Sequence, residues 1–271
     1  MARKENKPIS ILFIGNSFSY YNSLPKLIAY FAQITGSGNL ITEGVFRGGA
    51  TLKILWDEGK ALRKIRSKNW DYVVLQERGR LGGIIKRGIV HVGRPQAFIT
   101  YTTRFDKEIK KIGATTLLYC PPSFLGVGLP QDAEKLRVAY TTLARKLRVT
   151  TIQSGTAFAL SLKKRPNMNL YKHDKNHPNP LGTYLIASLF YRKLFHKRAR
   201  ALPLKSYSSR SERIPKNPKP VKLSRTDAQF LWSIANQIKW WKWWLTLFLF
   251  FIWVGRHDCL FIHTSSFLHN Y

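Results

Sequence analysis

Residues 9–24 read ISILFIGNSFSYYNSL. The apolar, β-branched run from Ile9 to Ile14 stops at Gly15-Asn16-Ser17, and an amphipathic helical pattern takes over a few residues later. A short apolar run bounded by turn residues reads as a buried strand. When such a strand enters a tight glycine turn and then a helix, the residue after the turn stands at the carboxyl end of a central strand. Here that residue is Ser17. The carboxyl edge of the sheet is where α/β proteins hold their reactive groups. A strand-turn-helix also occurs as a plain connection, so Ser17 gains meaning only if the chain supplies a base, an acid to orient it and oxyanion donors.

Working outward, the pattern alternates. Ser23 reads as an N-cap with Pro25 in the first turn, followed by an apolar face of Leu24, Leu27, Ile28 and Phe31 that Gly36 ends. Asn39 to Phe46 reads as a second strand running into Arg47-Gly48-Gly49-Ala50-Thr51, and Leu52 to Ile65 as one helix. Trp70 to Leu75 is a third strand ending at Gln76-Glu77, and Arg78 to Gly93, rich in glycine and base, is a surface loop near the strand ends. Pro95 opens a helix to Lys111 that Gly113 caps, Ala114 to Tyr119 is a fourth strand, and Pro130 starts the next helix. Val149 to Gln153 makes a fifth strand, and helices follow from about Ser154 to Lys163 and from Leu181 to Phe195. Strands and helices in alternation predict an α/β fold with a five-stranded, doubly wound parallel sheet covered on both faces.

The length of 271 residues suits one domain with additions. Residues 1–202 are assigned to the core, 203–223 to a basic, Pro/Ser-rich linker or surface arm, and 224–239 to a C-terminal helix on the core. Ser224 as N-cap with Asp227 at the third helical position marks that helix start. Residues 240–271 form a tail. Its first part, WWKWWLTLFLFFIWV from Trp240 to Val254, is shorter than the roughly 20 residues a membrane-spanning helix needs. A membrane-interface anchor, an oligomer contact and sequence translated past a frameshift are the three readings.

The formal charge is +31, with 45 Lys and Arg against 14 Asp and Glu, so non-specific attraction to polyanions is expected. A compositional bias of the proteome is the plainer source of the same charge. Cys120 and Cys259 form no metal or redox motif, so no disulfide framework is expected. MARKENKP at the N-terminus shows no signal-peptide pattern, which makes the cytoplasm the default location, with membrane association through the tail as the alternative.

Of seven histidines, His177 has the neighbourhood that suggests chemistry: His173-Asp174-Lys175-Asn176-His177-Pro178-Asn179-Pro180. An Asp three residues before a His can bend back to one ring nitrogen, fix the tautomer and leave the other nitrogen free as a base. His173 and His177 also have the spacing of a zinc-binding helix, although Pro178 and Pro180 favour a loop. A purely structural His177 is the third reading. For an oxyanion, the Ser17 backbone N–H at a helix start, an N–H of the Gly48-Gly49 turn and the Gln76 side-chain amide are the candidate donors. Arg78, Arg80 and Lys86 could meet an anionic group on a substrate or simply form a solvated basic loop.

Taken together, Gly15-Asn16-Ser17, Gly48-Gly49-Ala50-Thr51, Val73-Val74-Leu75-Gln76-Glu77 and Asp174-Lys175-Asn176-His177-Pro178 resemble the blocks of the SGNH/GDSL hydrolase superfamily. They are most similar to a bacterial branch with GNS, GGxTL, VVLQE and DxxHP, where GxYLxA follows as it does at Gly182-Thr183-Tyr184-Leu185-Ile186-Ala187. The resemblance implies a flavodoxin-like three-layer α/β/α sandwich and a serine esterase with no cofactor or metal. By position it makes Ser17 the nucleophile, His177 the base, Asp174 its orienter, and Ser17, Gly49 and Gln76 the oxyanion donors. Two positions depart from the superfamily pattern: Asn16 stands where Asp is usual, and Gln76 where a shorter Asn is usual.

The expected activity is therefore hydrolysis of a small ester, such as an acyl group on a carbohydrate, through an acyl-enzyme. The rival is a non-catalytic basic protein that uses the same scaffold to bind nucleic acid or an anionic membrane surface.

Overall fold

The computed structural model describes residues 7–86, 89–123 and 129–239. Five parallel strands form the central sheet: β1 (Ile9–Gly15), β2 (Leu40–Phe46), β3 (Tyr72–Leu75), β6 (Thr115–Cys120) and β7 (Thr150–Gln153). Their order is β2-β1-β3-β6-β7. This is the flavodoxin-like doubly wound order. From β1 the chain moves outward to β2, then returns to pair β3 on the other side of β1. The reversal opens a crevice at the carboxyl end of β1, where such sheets place their ligands.

Both faces of the central strands β1, β3 and β6 are buried, which is why they are largely apolar runs, while edge strand β2 stays partly exposed. Ile11, Leu12, Phe13 and Ile14 are all fully buried. Successive side chains point to opposite faces. Leu12 and Ile14 join Leu52, Leu55, Ile65, Phe105, Leu136 and Tyr140 in one core layer. Those residues come from α3 (Leu52–Asp57), α4 (Lys60–Arg66), α5 (Gln96–Lys111) and α6 (Leu129–Leu147). Phe13 turns the other way and meets Phe190 with ring centroids 5.7 Å apart. Phe190 belongs to α8 (Pro180–Phe195), which with α2 (Leu24–Ile34) and α7 (Ser154–Lys164) covers that face. Each fully buried Leu, Ile or Phe contributes roughly 1.5–3 kcal/mol, so these two layers dominate the favourable side of folding.

The helix read over Leu52 to Ile65 is two helices, because Gly59 adopts φ +67° between α3 and α4. Ser23 stands at the N-cap position of α2 with Pro25 in the first turn, but its side chain makes no capping hydrogen bond, and it and Asn22 both have φ +53°. The basic loop after β3 contains a short antiparallel pair, β4 (Ile84–Lys86) with β5 (Ile89–His91). Residues 203–223, read as a linker or surface arm, carry a second such pair, β8 (Lys205–Ser208) with β9 (Lys219–Lys222).

The last described helix, α9 (Arg225–Gln237), starts at the Ser224 cap, whose hydroxyl accepts from the Asp227 N–H. It is held to α8 by Trp232 Nε1 donating to the Tyr184 hydroxyl at 2.7 Å, and Asn236 bonds both ways with the Ala199 backbone. The tail readings for residues 240–271, including membrane contact through 240–254, and Cys259 lie outside the described residues. Among the described residues no helix is long and apolar enough to cross a membrane.

Candidate active site

Ser17 begins a four-residue helix, α1 (Ser17–Tyr20), directly after β1. Asn16 caps it: its Oδ1 accepts from the Phe18 N–H at 3.2 Å, while its Nδ2 donates to the Ala50 carbonyl at 2.9 Å. The Asn16 N–H donates to Gln76 Oε1 at 2.9 Å. One residue thus ties together the carboxyl ends of β1, β2 and β3. Asn fits the place because it accepts and donates at once, whereas an ionised Asp only accepts. Gly15 is required there, since a Cβ would sit 2.6 Å from Gln76 Oε1 and 2.7 Å from Ser19 Oγ.

The imidazole arrives from a loop between α7 and α8. Tyr171 and Pro178 form an isolated antiparallel bridge, and the Lys172 N–H donates to the His177 carbonyl at 2.8 Å. Inside this hairpin Lys175 takes φ +54°, and Asp174 Oδ1 accepts from the N–H groups of Asn176 and His177. Asp174 is therefore fixed before it touches the ring. Its Oδ2 lies 2.6 Å from His177 Nδ1, and His177 Nε2 lies 2.7 Å from Ser17 Oγ.

The tautomer follows from the partners. An ionised carboxylate has no proton to give, so Nδ1–H donates to Asp174 and Nε2 accepts from the Ser17 hydroxyl. Burial opposes the charge on Asp174, but the His177 N–H, the imidazole and the Asn176 N–H outweigh it. Its carboxyl lies below the ordinary value. Ser17 is 8% exposed. Both nitrogens of His177 are taken by Asp174 and Ser17, so the zinc spacing with His173 is put to another use.

After β2 the Arg47–Ala50 turn closes through the Ala50 N–H to the Arg47 carbonyl. Gly49 takes φ +67° there with open space where a Cβ would project. A first-turn N–H such as that of Ser17 has no carbonyl one turn back to accept it. Gln76 is fully buried, with its Oε1 accepting from Asn16 N–H and Ser19 Oγ and its Nε2 donating to the Glu77 carbonyl. These bonds shape the Gly15–Ser19 turn and leave a second amide hydrogen on Nε2.

Several neighbours were not legible as site residues. Phe18 and Tyr21 both pack on the imidazole, with ring centroids 5.1 and 4.7 Å away. Asn22 reaches across to the His177 loop. Glu212, from between β8 and β9, accepts from the Gly48 N–H at 2.9 Å and lies 3.4 Å from the Tyr20 hydroxyl. Burial first, then Glu212, pushes the Tyr20 phenol up to about 12. One signal was present: Glu212 is the only acidic residue between Asp174 and Asp227. Of the basic loop residues, Arg80 donates to Asn176 Oδ1 at 2.8 Å. The Arg78 N–H is held by Glu77, and the Lys86 side chain lies outside the described residues.

Solved structures share this fold. A DUF4886-family protein of Bacteroides uniformis superposes with TM-score 0.60 at 14% identity, over 85% of this chain and 94% of that one. A Slackia heliotrinireducens protein classed with the SGNH hydrolases gives 0.54 at 20%, over 69% and 100%. An acetyl xylan esterase of Geobacillus stearothermophilus gives 0.54 at 16%, over 71% and 97%. The fold is that of the SGNH hydrolases. No family model matches the sequence, and no curated protein is significantly similar to it.

Proposed function

We propose that this protein is a serine ester hydrolase acting through an acyl-enzyme. The observation that carries the reading is the 2.7 Å contact between Ser17 Oγ and His177 Nε2, with Nδ1 held on Asp174. In the first half-reaction Ser17 attacks the ester carbonyl as His177 takes its proton. His177 then returns that proton to the departing alcohol. In the second half-reaction His177 activates a water that releases the acid. The backbone N–H groups of Ser17 and Gly49 donate to the oxyanion, and the second amide hydrogen of Gln76 is the third donor.

The substrate class is a small ester, such as a short acyl group on a carbohydrate. An acetyl xylan esterase among the proteins of the same fold supports it. Hydrolysis of p-nitrophenyl acetate and labelling by a fluorophosphonate probe, with the modified peptide mapped, test the reaction class. Label on Ser17, and loss of turnover in a folded Ser17→Ala variant, are the expected results. Undiminished turnover in Ser17→Ala would overturn the reading. A protein that only binds DNA or anionic vesicles in a salt-sensitive manner, with Ser17 unreactive, would be the basic binding module instead.

A further inference from the structure

The alcohol side of the proposed ester can be located from the chemistry. When the acyl-enzyme forms, the bond from Ser17 Oγ to the carbonyl carbon is made and the bond from that carbon to the alcohol oxygen breaks. The proton taken from Ser17 passes through His177 Nε2 to the departing oxygen. That oxygen must come within hydrogen-bond distance of Nε2, so the rest of the alcohol lies over whatever borders the imidazole. Tyr21 borders it, at 4.7 Å between centroids. One contact further out, Lys172 Nζ lies 4.2 Å from the centre of the Tyr21 ring.

We propose that Lys172 is a subsite for a negative charge on the alcohol portion of the ester, so that the substrates are acyl esters of acidic alcohols. The inference rests on the hydrolase reading and deepens it. The lysine is not a loose surface residue. Its backbone is paired with His177 itself, next to the Tyr171–Pro178 bridge, so its position relative to the imidazole is set by the hairpin register.

Lys172 is half-buried, and its ammonium makes no hydrogen bond or ion pair among the described residues; the Tyr21 face is its recorded contact. Burial first, then the nearby Arg210, holds that ammonium below its usual range, while Asp174 acts the other way. Asp174 is the carboxylate that acts on Lys172, and it does so at a distance, without an ion pair. Its oxygens are directed at the His177 and Asn176 N–H groups and the imidazole instead. The Lys172 ammonium is thus held one contact from the proposed base without a salt bridge among the described residues. A bound carboxylate or sulfate would relieve that arrangement, and a neutral alcohol would not.

A matched pair of substrates tests this: 4-acetoxybenzoate and its methyl ester, which share the acetyl group and differ in one charge on the departing phenol. The ratio of kcat/KM values for the two, compared between variants, cancels their intrinsic reactivity. Lys172→Gln should lower the ratio about fivefold to tenfold, mainly through KM of the charged ester, the range expected of one half-buried ion pair. Lys172→Arg should retain the ratio, and added salt should shrink it.

Lys107→Gln, exposed on α5 and near the opposite end of the sheet, should leave the ratio unchanged, which separates the subsite from the overall charge. Without any variant, 4-hydroxybenzoate should inhibit hydrolysis of the methyl ester more strongly than methyl 4-hydroxybenzoate does. If both esters turn over and Lys172→Gln leaves their ratio as it was, the subsite is refuted while the hydrolase stands. If neither turns over and Ser17 refuses the fluorophosphonate, both go together.

Discussion

Asn22 Nδ2 donates to the Pro178 carbonyl at 2.9 Å, so a single buried amide ties the segment that carries Ser17 to the loop that carries His177. The same nitrogen donates to Thr183 Oγ1 at 2.8 Å, and the Asn22 N–H donates to the Ser209 carbonyl at 2.9 Å. Three stretches of chain therefore meet at one residue. Ser17 and His177 are 160 positions apart in sequence, and the 2.7 Å contact between Ser17 Oγ and His177 Nε2 depends on this junction.

Asn22→Ala removes both side-chain bonds and also places a Cβ-only residue at φ +53°, where Asn is tolerated better than most. Stability should fall by about 2–4 kcal/mol, because buried partners are orphaned and backbone strain is added. Asn22→Gly keeps the backbone conformation and loses only the bonds, so it should be the milder variant in urea melts. Both should lose turnover on p-nitrophenyl acetate, since either releases the imidazole loop. Full activity in Asn22→Gly would show that the loop is held by its own hairpin alone.

Asp174→Asn should keep the backbone turn, because Oδ1 can still accept from Asn176 and His177. Its amide would face Nδ1 with a donor, favouring the tautomer that leaves no acceptor at Nε2. A fall in kcat of about 10³- to 10⁴-fold is the expected size. The folded-state pKa of Asp174 is depressed, so its contribution to stability is present above the unfolded value of about 3.9 and lost as pH falls through the folded value. The stability gap between wild type and Asp174→Asn should hold at neutral pH and close in acid. Denaturant melts at pH 7 and pH 3 would show a constant gap if the carboxylate were not part of the linkage.

Much of this was legible from the residues because it is local. β1 and β3 are mostly apolar since both faces of the sheet are covered there, and the turns after them carry polar residues because they end at the crevice. Asp174 and His177 are three residues apart, close enough for a hairpin to join them without help from the fold. What stayed hidden is either torsional or long-range. Ser23 looked like a side-chain cap because composition shows a hydroxyl but not a left-handed φ of +53°. Gly59 splits a helix through the same conformational freedom at φ +67°. Tyr21 and Glu212 meet the site only because of where the chain folds back, and no periodicity encodes that.

Gln76→Ala would leave the buried Asn16 N–H and Ser19 hydroxyl without their shared acceptor. Each orphaned group costs about 1–3 kcal/mol, so a stability loss of about 2–5 kcal/mol is expected. Gln76→Asn, which has the residue usual in the superfamily, is one methylene shorter and should recover only part of that loss. The comparison of interest is kcat at a temperature where all three proteins are folded. A drop of about 10²- to 10³-fold in Gln76→Ala is what loss of an oxyanion donor gives. A drop no larger than that caused by Gly15→Ala, which distorts the same turn by crowding it, would leave Gln76 a shaper of the turn and no donor.

Glu212 can be separated from the strap it sits on by pairing it with Gly48. A Cβ on residue 48 would lie 2.8 Å from Glu212 Oε1, so Gly48→Ala pushes the carboxylate off the Gly48 N–H. Glu212→Ala removes the carboxylate and leaves the glycine. If the bond serves to hold the Gly49 N–H in line for the oxyanion, the two variants should lower kcat by similar factors, near tenfold for one positioning hydrogen bond of about 1.4 kcal/mol. KM should barely move in either. Glu212→Gln keeps an acceptor at the same place and should restore most of kcat. Because α1 and β2 are anchored through Asn16 independently of Glu212, the thermal midpoint should shift little in all three. A large loss of stability with unchanged kcat in the survivors would mean that Glu212 merely fastens residues 209–216 to the core.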